Sequence, residues 1–180
     1  STPDAGTTTV VYTAADAAGN TSTCSFTVVV DAGTPLTLIL DTVATDCQAG
    51  GGQIAVDLSV LDFVNIIGLQ FNVTWDTAVL QFDSVGNVFP GLNLNNTMFF
   101  GFTSAINGNT LQFFGGNAGG WPQIPGNETF FTIYFTVENA NASSNINFSG
   151  TIDAVNNLFN SVPVQLVNGY FQSTDFTAPV

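Results

Sequence analysis

The sequence predicts an all-β chain, a two-sheet sandwich of about nine strands preceded by a β-hairpin. Three observations carry this. Apolar and polar residues alternate in short runs along most of the chain. β-branched and aromatic residues dominate, with 17 Phe against one Met and two Trp, and Asn, Gly, Thr and Ser fill the intervals as turn residues do. No stretch sustains a helical period. At 180 residues and 45% apolar content the chain suits one ordinary domain plus an appendage.

The clearest single signal runs from Gly68 to Val85. Leu69, Phe71, Val73 and Trp75 fall on one face at a period of two, and Gln70, Asn72 and Thr74 fall on the other. Asp76-Thr77 is turn chemistry, because a short carboxylate side chain bonds the backbone just ahead of it. Val79, Leu80, Phe82 and Val85 then carry the return strand.

In chain order, Thr7 to Ala14 and Ser22 to Val30 read as a hairpin closed by Asp16-Ala17-Ala18-Gly19-Asn20. An isolated hairpin is marginal in water. Residues 32–35 are a linker. The sandwich strands follow as Leu36 to Leu40, Ile54 to Val60, the two of the Gly68–Val85 stretch, Thr97 to Thr103, Thr110 to Phe114, Thr129 to Glu138, a run around Ile146 to Ile152, and Val162 to Phe171. Between them lie turn signals such as Phe89-Pro90-Gly91 and Asn107-Gly108, and a long Gly-rich loop from Gly115 to Gly126 that contains Trp121.

The charge balance excludes whole classes of function. Lys, Arg and His are absent against 13 Asp and Glu, so the formal net charge is −13. Such a chain repels nucleic acid and anionic membrane surfaces. It has no His base, no Lys for a Schiff base and no Arg to hold a phosphate, and its two glutamates, Glu128 and Glu138, lie at strand ends. We expect no enzymatic activity. No apolar run approaches the ~20 residues that span a bilayer. Ser1 is not followed by a charged and then apolar leader, so a secreted protein would be represented here by a mature or internal segment. Tryptic sites are missing, which suits an exposed, long-lived extracellular location.

Candidate sites are few. Cys24 and Cys47 allow one disulfide, with free thiols or pairing to other chain as the alternatives; a loop of about two dozen residues gives roughly 3 kcal/mol in the chain-entropy account. No Asp-x-Asp-x-Asp-Gly spacing exists, so no metal site is assigned. Asp57 with Asp62, or Asp41 with Asp46, could share a Ca2+ through loops, with single surface carboxylates as the alternative; otherwise no cofactor is expected. Six Asn-x-Ser/Thr sequons start at Asn20, Asn72, Asn95, Asn127, Asn141 and Asn147. Trp121, beside Pro122, is a candidate for stacking on a sugar ring, or else caps the end of the sandwich or packs against a neighbouring module.

Two resemblances add to this reading. Val10-Val11-Tyr12-Thr13-Ala14-Ala15-Asp16-Ala17-Ala18-Gly19-Asn20, continuing through Cys24-Ser25-Phe26, resembles the second half of a hyalin-repeat (HYR) module, an immunoglobulin-like domain of extracellular adhesive proteins. The resemblance leaves out the half that usually carries the partner cysteine, which makes Cys47 the candidate partner of Cys24. Asp175-Phe176-Thr177-Ala178-Pro179-Val180 resembles the opening of another such module, so residues 173–180 are read as its start or as an inter-subunit strand. Residues 36–172 resemble the cohesin-like jelly-roll sandwich, on Gly68 to Phe82 with its aromatic-Asp-x-small-Val-Leu corner, on Gly108 to Gly115, on Phe130 to Val137 and on Val167-Asn168-Gly169. Asp41-Thr42-Val43, Asp76-Thr77-Ala78 and Asp83-Ser84-Val85 are similar to O-glycosylation sites of Bacteroidetes surface proteins, which implies Thr42, Thr77 and Ser84 as acceptors.

The expected function is therefore a structural or adhesive module of a secreted, cell-surface fibre. It would assemble head to tail with copies of itself or with neighbouring modules of the same chain. The alternative is a cohesin-like binding module for a dockerin-like protein or a glycan.

Overall fold

The computed structural model describes residues 6–30, 33–45, 51–92, 101–103 and 108–173. It divides into two compact units at Thr34/Pro35. Among the described residues every regular element is a strand.

The first unit is the hairpin of β1 (Gly6–Ala15) and β2 (Thr21–Val30), paired without a break from Gly6↔Val30 to Ala15↔Thr21. The Asp16 carboxylate accepts the Ala18 and Asn20 amide N–H groups at 2.9 Å each, and Gly19 takes φ +86°. That is why Asp-Ala-Ala-Gly-Asn closes here. Val10, Tyr12, Phe26 and Val28 share one face, with the Tyr12 and Phe26 rings stacked at 5.8 Å.

The second unit is the sandwich. Its strands are β3 (Leu36–Leu40), β4 (Thr42–Thr45), β5 (Gln53–Leu61), β6 (Ile66–Thr74), β7 (Leu80–Gly86), β8 (Gly101–Thr103), β9 (Thr110–Gly116), β10 (Glu128–Val137), β11 (Ser143–Asn156), β12 (Val164–Val167) and β13 (Gly169–Ser173). One sheet runs β12-β3-β5-β10-β7 and the other β4-β13-β11-β6-β9-β8. The about nine expected strands become eleven segments for one reason: the first and the last strand each change sheet midway. β3 passes into β4 at Asp41, and β12 passes into β13 at Asn168. The two run side by side and parallel, Leu36–Ile39 with Val164–Val167 and Thr42–Thr45 with Tyr170–Ser173. So the run from Val162 to Phe171, read as one strand, is two strands in two sheets.

Gly169 makes that crossing feasible. A Cβ there would overlap the Asp41 carbonyl oxygen and stand 3.0 Å from Leu40 Cβ. Asn168 fixes the corner, its Oδ1 accepting the Phe148 N–H at 2.9 Å.

Alternation places the core as predicted. Leu69, Phe71, Val73 and Trp75 are buried, facing Val56, Leu58, Phe131, Ile133 and Phe135 from the opposite sheet. The phenylalanines do most of the filling: Phe71 stacks on Phe113 at 4.8 Å, and Trp75 meets Phe135 edge-on at 5.1 Å. The Asp76 corner is an Asx turn, with Oδ1 accepting the Ala78 N–H at 2.9 Å and the Asp76 carbonyl accepting from Val79 and Leu80.

Candidate functional site

The inner faces of both sheets are consumed by the core, so any recognition by the sandwich uses an outer face or a loop. The most exposed large apolar side chains of the sandwich are Phe114, on the outer face of the six-stranded sheet, and Leu158 and Phe159, on the turn after β11; Leu166 and Val167 on β12 are exposed to a lesser degree. Strand pairing sets Gly68 beside Gly116 and Val155, and Gln70 beside Phe114 and Asp153. These positions alternate with the buried Leu69, Phe113 and Ala154, so they point outward. Phe114 is 56% exposed in mid-sheet.

The β11–β12 turn rises at the edge of this face. Asn156 Oδ1 accepts the N–H groups of Leu158 and Asn160 at 3.0 Å each, and the Asn156 carbonyl accepts the Phe159 N–H at 2.9 Å. The Asn157 N–H donates to the Asn65 carbonyl at 2.9 Å, tying the turn to the start of β6. Phe159 is held at φ +60° with its ring 81% exposed, and Leu158 is 72% exposed. Between Phe159 and Phe114 lies a cleft of roughly 440 Å³, floored by Gly68 and Gly116 and lined also by Val155, Gln70 and Asp153. Asp153 is its one carboxylate, and no cationic side chain exists in the chain to pair with it.

The residues singled out in the sequence lie elsewhere. Trp121 is 4% exposed, packed on Phe63 at 5.6 Å and beneath Gly115, where an added Cβ would come within 3.0 Å of its ring. This corrects its reading as a ligand-stacking residue, because its faces are covered. The cause is local: the Asn117 N–H donates to the Ile67 carbonyl and the Trp121 N–H to the Ile66 carbonyl, so the Gly-rich loop zips onto β6 and drives the indole inward. Cys24 lies exposed on β2, opposite Tyr12, and Cys47 lies outside the described residues; the expected bridge thus has one described end. Thr42 on β4, Thr77 in the Asp76 corner and Ser84 on β7 are all exposed, as an acceptor hydroxyl must be.

The two acid pairs read for Ca2+ are only partly described. The Asp57 carboxylate accepts the hydroxyls of Thr132 and Thr129 across to β10, and Asp46 lies outside the described residues. No group of three or more metal-ligating side chains comes together among the described residues. The reading of residues 173–180 also falls almost wholly outside them.

Sequence reasoning missed Phe114, Phe159 and Gly68. One signal was present for the first: in Thr110-Leu111-Gln112-Phe113-Phe114 the two adjacent phenylalanines cannot share a face, so one must point to solvent.

A jelly-roll sandwich closed by parallel first and last strands, with an open apolar-and-polar sheet face, is the class this architecture defines. Residues 36–172 match the cohesin domain family model, and the chain belongs to the cohesin family. A second model, the HYR domain, matches residues 2–30. Among solved structures the chain resembles a type I cohesin of Clostridium thermocellum in a cohesin–dockerin complex, at 18% identity and TM-score 0.63 over 77% of this chain and 99% of that one. It also resembles the sixth cohesin of the Acetivibrio cellulolyticus scaffoldin B, solved in complex with a mutant Cel5 dockerin, at 19% identity and TM-score 0.62 over 77% and 99%. The non-cellulosomal cohesin of the archaeon Archaeoglobus fulgidus aligns at 20% identity and TM-score 0.59 over 77% and 90%. No curated protein matches.

These findings correct the expected partners. The cohesins of the Clostridium and Acetivibrio complexes are held by dockerins, a different class of protein, rather than by copies of themselves or by neighbouring modules.

Proposed function

We propose that this chain is an extracellular, cell-surface binding module that holds a dockerin-like protein on the outer face of its six-stranded sheet. The observation that carries the reading is the set of exposed apolar side chains, Phe114 on the six-stranded sheet with Leu158 and Phe159 on the turn beside it, in a cohesin-family sandwich. Large apolar side chains grouped on an otherwise polar surface mark protein interfaces. The strongly acidic surface fits a partner that brings cations, and it keeps the unbound module soluble.

The test is calorimetry of the intact chain against a panel of dockerin modules. Saturable binding that weakens at least roughly tenfold in Phe114→Ser supports the reading. Absence of binding across the panel, or binding indifferent to Phe114, overturns it. The hydroxyls of Thr42, Thr77 and Ser84 we read as sites of O-glycan attachment, none of them within the cleft. Glycopeptide mass spectrometry of native material should find hexose-bearing residues among the three; unmodified peptides covering all three would rule this out.

A further inference from the structure

The geometry points to an anchor pocket between Phe114 and Phe159, built to take one apolar side chain of a polypeptide whose neighbouring Lys or Arg reaches Asp153. This rests on the protein-binding reading above and specifies what the partner must carry.

Three observations converge on it. The first is Gly68. It lies inside strand β6 at an ordinary backbone angle, and an added Cβ would meet nothing closer than Val155 Cβ at 3.7 Å. Neither conformation nor crowding therefore requires glycine. A glycine inside a strand weakens it and marks a place where another group approaches closely. What its missing side chain provides here is an open floor.

The second is Phe159. A bulky residue at positive φ is uncommon and strained, and such strain persists where the surroundings over-determine it. Here the Asn156 side chain and backbone supply that constraint, while the ring stays in solvent and adds nothing to the core. The turn fixes the Phe159 backbone beside the cleft, so little backbone freedom has to be lost there on binding.

The third is charge. Asp153 faces the cleft without any cation in the chain, so its ionic partner must come from outside. The polar lining does not suit a sugar. The Asn117 side chain is engaged in its own turn, donating to the Gly120 carbonyl at 2.7 Å and accepting the Gly119 N–H at 3.0 Å. That leaves Gln70 and Asp153 beside apolar walls, too few groups for a ring of hydroxyls. An aliphatic or aromatic anchor with an adjacent cation fits both features.

The experiment is selection of a random-peptide display library on the immobilised intact chain. We expect enriched peptides to pair an apolar residue with a nearby Lys or Arg. They should lose roughly tenfold or more in affinity on Gly68→Val and on Phe159→Ser, and several-fold on Asp153→Asn or at high salt. Valine suits a strand and its Cβ would meet only ordinary contacts, so Gly68→Val should keep its melting temperature, which makes loss of binding a loss of the pocket. Peptides without a cation, peptides that bind Gly68→Val like the parent, or a selection that enriches nothing would each overturn the inference. A glycan array signal abolished by Gly68→Val would also overturn it, in favour of a sugar. The two readings separate cleanly. A dockerin that binds the parent and Gly68→Val equally removes the anchor pocket and leaves the docking face. Gly68-dependent peptides with no dockerin binding leave the pocket and remove the dockerin.

Discussion

Asp41 and Gly169 meet at the point where the outer strands change sheet, and both are under pressure there. Burial, and then the charge of Asp57, push the Asp41 carboxyl above its ordinary value of 3.8. The folded state therefore favours the neutral acid more than the unfolded chain does. The stability linked to this group is fully present below the ordinary value and is lost as pH rises through the raised one. Asp41→Asn should thus raise the melting temperature at pH 7 and leave it unchanged near pH 3. A calorimetric scan that shows the same gain at both would exclude the burial effect as its cause. Gly169 is constrained by space alone, with the Asp41 carbonyl where a Cβ would go. Gly169→Ala should cost about 1–3 kcal/mol in urea unfolding, the usual penalty of overpacking, although alanine is no worse than glycine in an unconstrained strand. An unchanged unfolding midpoint would show that the crossing has slack.

How far the elements were legible depends on what determines them. Period-two alternation is local, so β5, β6, β9 and β10 could be read within a residue or two, as could the Asp16 and Asp76 turns. The sheet change at Asn168 is not local. Nothing in Val162 to Phe171 announces that one half faces β3 and the other β4, because the reason lies over a hundred residues upstream, at Asp41. Trp121 failed for a related reason: its loop is polar and glycine-rich by sequence, yet backbone bonds to Ile66 and Ile67 pull its ring into the core. The cleft between Phe114 and Phe159 was the least legible part. Gly68 reads as an ordinary strand start, and Phe159 as one more loop residue among asparagines. Only the pairing of β6 with β9 and β11 brings them to one surface.

Across the chain, the absence of any Lys, Arg or His means that no ion pair between side chains contributes to either unit. Cohesion is left to apolar packing, dominated by phenylalanine, and to strand hydrogen bonds. Salt should therefore act mainly by screening the self-repulsion of −13 charges, and so stabilise the fold. The parallel first and last strands have a mechanical consequence. Chain enters the sandwich at the start of β3 and leaves at the end of β13, which lie at opposite ends of that paired seam. A pull on the two ends slides the strands past one another lengthwise. The rungs of the seam then share the load and yield together instead of unzipping one at a time. A module built this way would hold its shape under drag while its outer sheet face stays occupied.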